Sequence, residues 1–229
     1  MRVVPVPSSM LRAIVLATAL VSMLACRKAS PPAAEPAATP SKPTAAPPAD
    51  KPDDTAADRD AKSRAAVAAL IGTTPPEFQA ERWMSSPPLT LAKLRGSVVL
   101  VRWWTSGCPF CSTTAPSLRT FASDFGPRGL KVIGMYHHKE ETPFDPKVYE
   151  ETAKKYGFTF PVAFDPEWRT LESWKRDAAG KSVDTGWTSV TFVLDKRGVI
   201  RHVHPGGSYV AGEPAYDEMR SVIERLLAE

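Results

Sequence analysis

From Val98 to Trp104 the chain reads Val-Val-Leu-Val-Arg-Trp-Trp, apolar at every position except Arg102. A short, β-branched run of this kind predicts a strand buried on both faces. The pattern then changes period: residues 109–125 carry apolar side chains at helical spacing, which predicts a helix entered directly behind that strand. Further along, 130–136 reads as a second strand, 146–156 as a helix, 160–164 as a short strand, 166–176 as a helix and 190–194 as another strand. Asp195-Lys196-Arg197-Gly198 is turn chemistry, so 199–203 is expected to fold back as a hairpin partner. Residues 214–227 close the chain with an amphipathic helix. Ahead of these elements, Leu89-Thr90-Leu91 and Leu94 lead to Gly96, and residues 58–70 predict a helical turn or two. Strands alternating with helices imply an α/β domain over residues 71–229, with a mainly parallel central sheet, antiparallel edge strands and flanking helices.

The N-terminal residues follow no such pattern. Residues 1–25 contain Arg2 and Arg12, no acid, and an apolar stretch from Ala13 to Leu24 that suits a signal-peptide core and is too short to span a bilayer. Met23-Leu24-Ala25-Cys26 resembles a bacterial lipobox, in which the cysteine is lipidated and becomes the new N-terminus. Residues 26–70 are then the lipidated Cys26 and a Pro/Ala-rich tether, expected to be disordered because no aromatic residue precedes Phe78 and nothing offsets the entropy of ordering. Cleavage before Cys26 lowers the net charge from +4 to +2. That balance gives no argument for nucleic acid as a partner.

The chemistry sits behind the buried strand, where Cys108-Pro109-Phe110-Cys111 opens the predicted helix. A sulfur at a helix N-terminus meets unpaired N–H groups and a dipole that favour the thiolate, so Cys108 reads as a nucleophile. Cys111, one turn further in, lies where it can close a disulfide after Cys108 has attacked a partner. Structural zinc is a competing reading, but it needs four ligands and the only other cysteine is Cys26. An inert disulfide is another, although a bridge across two residues closes almost no loop and adds little stability.

From about Pro76 to the C-terminus the chain resembles the TlpA/ResA branch of the thioredoxin superfamily, also seen in the C-terminal domains of DipZ-type proteins. The resemblance rests on Leu94-Arg95-Gly96, on Trp104-Thr105-Ser106-Gly107-Cys108-Pro109-Phe110-Cys111, on Pro116, on Gly129-Leu130-Lys131-Val132-Ile133-Gly134 and on Thr191-Phe192-Val193-Leu194-Asp195-Lys196-Arg197-Gly198. It implies a thioredoxin-like fold and an extracytoplasmic thiol-disulfide oxidoreductase with Cys108 as attacking and Cys111 as resolving sulfur. It also implies that residues 137–174 are the family's insertion between sheet strands.

Two positions depart from that family. The cis-proline facing the disulfide aligns with Ser189, and a cis bond without proline costs about 3 kcal/mol, so Thr188-Ser189 is expected to be trans. Six residues ahead of Cys108, where relatives carry an acid or asparagine, stands Arg102. Its guanidinium either snorkels or pairs with Glu77 or Glu81, or lies under the Cys108 helix and stabilises thiolate. Trp103 and Trp104 split by parity between the faces of the sheet.

Other residues suggest other chemistry. His137-His138 and the same-face pair His202 and His204 are compatible with copper, but exposed loop and edge histidines are the simpler expectation. Thr105-Ser106-Gly107-Cys108 matches half of the peroxiredoxin pattern, with Val101 where that pattern has proline. Cys-Pro-Phe-Cys also resembles the glutaredoxin motif.

The resulting expectation is a protein of the bacterial cell envelope, lipid-anchored through Cys26 and facing the periplasm, that exchanges disulfides with protein dithiols and disulfides. It is expected to act as a reductant recharged by a membrane electron donor of the CcdA/DsbD type. Trp104, Thr105, Pro109, Phe110, Thr188, Ser189 and Arg102 are the expected substrate-facing or tuning residues. No cofactor beyond the redox-active disulfide, and no metal, is expected. A thiol peroxidase and a non-enzymatic copper- or partner-binding module are the alternatives.

Overall fold

The computed structural model describes residues 56–229. The expected signal peptide (1–25), the lipidation site Cys26 and the tether as far as residue 55 lie outside the described residues. The first element, helix α1 (Ala56–Ala68), falls inside the stretch expected as tether. Val67 in its last turn and Leu70 just behind it are buried, and the Gly72 N–H donates to the Ile200 carbonyl at 2.8 Å. The folded body therefore begins ahead of residue 71. An Ala-rich segment with two apolar residues at its end carries little signal of its own, and its helix acquires a buried side only against a sheet edge.

Strand β1 (Glu81–Met84) follows, then the short helix α2 (Leu91–Leu94), strand β2 (Val98–Trp104) and helix α3 (Pro109–Phe125). After a 3-10 turn come β3 (Leu130–Tyr136), α4 (Pro146–Lys155) and β4 (Val162–Phe164). The helix expected over 166–176 is broken: Glu167 and Trp168 adopt left-handed φ values of 53° and 59°, dividing a 3-10 turn from α5 (Arg169–Trp174). Asp165 explains the division. Its buried carboxylate accepts from the Thr170 and Leu171 N–H groups at 2.8 and 3.0 Å and from Trp103 Nε1 at 2.8 Å, restarting a helix with its own cap. Strands β5 (Thr191–Leu194) and β6 (Ile200–His204) form the expected hairpin, and α6 (Pro214–Ala228) closes the chain.

The six strands lie in the order β1-β4-β3-β2-β5-β6. β2, β3 and β4 are parallel, while β1, β5 and β6 join antiparallel. This is the thioredoxin-like arrangement the resemblance implies, with one strand the sequence did not announce: β1 has four residues, a register shift and a left-handed Arg82, hence no periodicity to detect.

Alternation along β2 sorts the core. Val98, Leu100 and Trp104 pack with α3, α4 and α6, whereas Val99, Val101 and Trp103 pack with Leu70, Leu94, Leu171 and Trp174 on the other face. Arg102 shares the parity of Leu100 and Trp104, which directs it to the α3 side. Gly134, opposite Arg102 in the parallel pair, leaves room there: a Cβ would stand 3.1 Å from Trp104 Nε1.

Three histidines are more enclosed than the sequence suggests. His137 is fully buried at the end of β3, edge-on to Trp168, with both ring nitrogens lacking partners, and burial holds its pKa down to about 3. His204 sits edge-on to Tyr209 with Nδ1 unpartnered, and burial, with the Arg102 charge, holds it down to about 3 as well. His202, half-buried beside Glu218, is lowered by burial. Trp168, some thirty residues on, covers His137, while Tyr209, in the loop just beyond β6, covers His204.

Candidate functional site

β2 delivers the chain through Thr105, Ser106 and Gly107, whose φ of 70° suits glycine, to Cys108 at the N-cap of α3. Pro109 occupies the first helical position, where its missing N–H is no loss and its fixed φ favours the helix. Cys108 is half-buried, Cys111 is buried, and both are free thiols. The Cys111 N–H donates to Cys108 Sγ at 3.3 Å.

Ser189 completes the sulfur pocket. Its hydroxyl stands 3.3 Å from Cys111 Sγ and 3.8 Å from Cys108 Sγ, and the Thr188–Ser189 peptide is trans. Ser189 thus faces both sulfurs and offers them an O–H. β5 positions it, because the Trp103 N–H donates to Val190 O immediately beyond.

Arg102 lies fully buried on the same face. One guanidinium nitrogen donates to Thr191 Oγ1 at 3.2 Å and another to Gly207 O at 2.8 Å, with the Tyr209 ring 5.6 Å away. Neither carboxylate expected as its partner is near: Glu77 caps α2 through the Leu91 and Ala92 N–H groups, and Glu81 pairs with Arg169 at 2.9 Å. Among the described residues no carboxylate pairs with Arg102. The guanidinium is therefore an unneutralised charge that acts on both sulfurs.

The two thiols separate in acidity. Partial burial works to raise the Cys108 pKa, yet hydrogen bonds from Cys111 and Ser189, together with the Arg102 charge, hold it below the ordinary thiol value. Deeper burial pushes Cys111 up, although Arg102, Ser189 and the Thr105 N–H oppose it. The more accessible sulfur is thus the more readily ionised, as a sequential attacker and resolver require.

Cys108 opens onto a cleft of about 520 Å³ bounded by residues 105–110, 139–140 and 186–189. Phe110, exposed, and Thr188, half-buried, lie on it as expected, and Pro109 is exposed beside Cys108. Trp104 does not. Parity turns it inward, where it is buried among Tyr136, Tyr149, Tyr156 and Phe158 beneath Cys111, a support for the site and no part of its surface. Thr105 is buried and lines the cleft, its hydroxyl donating to Glu140 Oε1 at 3.4 Å and its backbone N–H to the Cys111 sulfur. Lys139, Glu140, Gly186 and Trp187 line the cleft without any signal in the local sequence. Glu140, from the loop after β3, accepts from Ser106 Oγ at 2.6 Å and braces the loop before Cys108, and only the fold brings the two together. Trp187 stands two residues before Ser189. Among the described residues no group of three or more His, Cys, Asp or Glu side chains converges as metal ligands, so His137, His138, His202 and His204 do not form a shared site.

The chain is 26% identical over 161 residues to Protein DipZ of Mycobacterium bovis, a match covering 68% of this chain and 21% of DipZ, so the chain spans about a fifth of that relative. It is 24% identical over 155 residues to thiol-disulfide oxidoreductase YkuV of Bacillus subtilis, covering 67% of this chain and 94% of YkuV. A thiol-disulfide isomerase structure from Corynebacterium glutamicum superposes with a TM-score of 0.52 at 21% identity, covering 68% of this chain and 96% of the other, and shares the thioredoxin-like fold. The family model described as AhpC/TSA runs from Ile71 through Val203, more than half of the sequence, and takes in the sheet from β1 into β6 together with both cysteines. On that match the chain belongs to the AhpC/TSA family.

Proposed function

We propose that this protein exchanges disulfides with other proteins in the bacterial cell envelope, as a reductant, with Cys108 attacking and Cys111 resolving. The observation that carries this reading is the asymmetry within one helical turn: an accessible Cys108 at the α3 N-cap and a buried Cys111, with the Ser189 hydroxyl in reach of both. The thiolate of Cys108 attacks one sulfur of a partner disulfide, forming a mixed disulfide and releasing the other partner sulfur as thiolate. Cys111, deprotonated, then attacks Cys108 Sγ, which closes the Cys108–Cys111 disulfide and releases the second partner thiolate. Two electrons pass to the partner. A membrane donor of the CcdA/DsbD type is the source that returns them. Capture tests the reading: a chain able to attack but not resolve should hold its partners covalently, and failure to do so would overturn it.

The peroxidase alternative has less support, because the Thr105 hydroxyl engages Glu140 and Val101, in the proline position of that pattern, is buried in β2. For the envelope location, the apolar segment ending at Ala25-Cys26 carries the reading. Metabolic labelling with a fatty acid should mark the wild type and leave Cys26→Ser unlabelled; an unlabelled wild type would refute the anchor.

Arg102 sets the poise of the couple. By stabilising thiolate it favours the reduced form and raises the reduction potential, so the donor that recharges it can lie at a higher potential than an asparagine-bearing relative would require. A shift of about one pKa unit, or about 1.4 kcal/mol, corresponds to about 30 mV for two electrons. Arg102→Asn should therefore lower the potential by about that amount and raise the thiol pKa. Arg102→Lys should change both less, because the charge survives. A folded Arg102→Asn protein with an unaltered potential would remove Arg102 from the tuning set.

A further inference from the structure

Phe110 and Trp187 are large apolar side chains left exposed, each 43%, and both border the Cys108 cleft. Their rings meet edge to face at 5.7 Å and 86°. Residue 206 sets the place of the indole. A Cβ on Gly206 would come within 2.3 Å of Trp187 Cγ, so glycine alone lets the ring lie down against the backbone there. The result is a rigid aromatic wall on one side of Cys108. Lys139 lines the same cleft, exposed and without an ion-pair partner among the described residues. Its neighbour Glu140 cannot neutralise it fully, because that carboxylate is engaged by Ser106 Oγ at 2.6 Å, by the Lys139 N–H at 3.1 Å and by His138 Nδ1 at 3.1 Å. The cleft thus borders the attacking sulfur with both an apolar surface and a cation, in a volume that fits a few residues of an extended chain.

We propose that the cleft selects partner segments by the residues flanking their cysteine: a large apolar or aromatic side chain that seats on Phe110 and Trp187, and an acidic side chain that pairs with Lys139. This rests on the reading of the protein as one that exchanges disulfides with proteins, and it names the class of segment exchanged. Apolar seating against two aromatic rings lowers the barrier to attack by about tenfold in rate, and the solvent-exposed charge pair adds about threefold.

The test uses the full reduced chain and symmetric disulfide dimers of short peptides, in which either sulfur is an equivalent target. Cys108 attacks one sulfur, one peptide thiolate leaves, Cys111 closes the protein disulfide and the second peptide thiolate leaves, so each turnover releases two peptide thiols and oxidises one protein dithiol. Peptides with phenylalanine and glutamate flanking the cysteine, in either order, should react about thirtyfold faster than those with two alanines, and exchanging glutamate for lysine should remove the charge component. Trp187→Ala should collapse the phenylalanine preference to near one, and Gly206→Ala should reduce it by displacing the indole. Lys139→Glu should reverse the preference between glutamate and lysine. Val148→Ala, exposed but outside the cleft, should keep the wild-type ratios. Hydroxyethyl disulfide separates the two failures. A wild type that reduces this small disulfide but treats all peptides alike overturns the inference about selection, whereas a wild type that reduces neither overturns the oxidoreductase reading beneath it.

Discussion

Cys111→Ala should accumulate mixed disulfides with envelope proteins that dithiothreitol releases, while Cys108→Ala accumulates none. Cys108 caps α3, opens onto the cleft and has its pKa held below the ordinary thiol value by Cys111, Ser189 and Arg102 against the opposing effect of partial burial. Cys111 is buried one turn inside and pushed the other way. The difference between the variants is all or none, because a mixed disulfide on Cys108 without a resolving sulfur has no intramolecular exit. Trapping should also depend on pH in a defined sense. In Cys111→Ala the backbone N–H of residue 111, Ser189 and Arg102 still favour the Cys108 thiolate although the Cys111 thiol no longer does, so the trapping rate should rise with pH through an inflection. Arg102→Asn should move the inflection upward. Equal trapping by both cysteine variants would reverse or abolish the assignment of attacker and resolver.

Acidification below about pH 6.5 should destabilise the domain steeply, through His137 and His204. Both are held neutral by burial, with pKa values of about 3 against the ordinary 6.5. Lys139 and Arg102 reinforce this at His137 while Glu140 opposes it, and Arg102 and His202 reinforce it at His204. Between pH 6.5 and 3 the unfolded chain binds a proton at each ring and the folded chain does not, so stability falls as pH falls. Each group contributes about 1.4 kcal/mol per pH unit in that window, and the pair about 3 kcal/mol per unit. Unfolding is therefore expected well before pH 3. His137→Phe should lower the slope by about one proton. It also replaces two unpartnered buried nitrogens with carbon, so near neutral pH the variant should be close to the wild type in stability. Denaturant titrations at pH 7, 6 and 5 measure this; an unchanged slope in His137→Phe would mean that the ring is solvated or protonated in the folded state.

The pattern of positions determined the central elements of this protein nearly residue for residue. β2, β3 and α3 coincide with the expected 98–104, 130–136 and 109–125, because a continuous apolar strand and a strongly periodic helix are local signals. The position of Ser189 just ahead of β5 was also legible, since the strand behind it anchors the register, and the structure sets its hydroxyl against both sulfurs. Local sequence carries no information about what a side chain meets from far away. Whether Arg102 faced a carboxylate or the sulfurs was decided by strand parity, by Thr191 across the sheet and by Gly207, more than a hundred residues on. Trp104 was expected beside substrate and became the floor of the site, because three tyrosines and Phe158 converge on its face only in the folded sheet. The burial of His137 against Trp168, the bracing of the Cys108 loop by Glu140 and the seating of Trp187 on Gly206 belong to the same class. Periodicity along the chain determines which face a residue takes; the elements that cover that face are a property of packing, and here packing supplied the charge, the hydroxyl and the aromatic wall around the attacking sulfur.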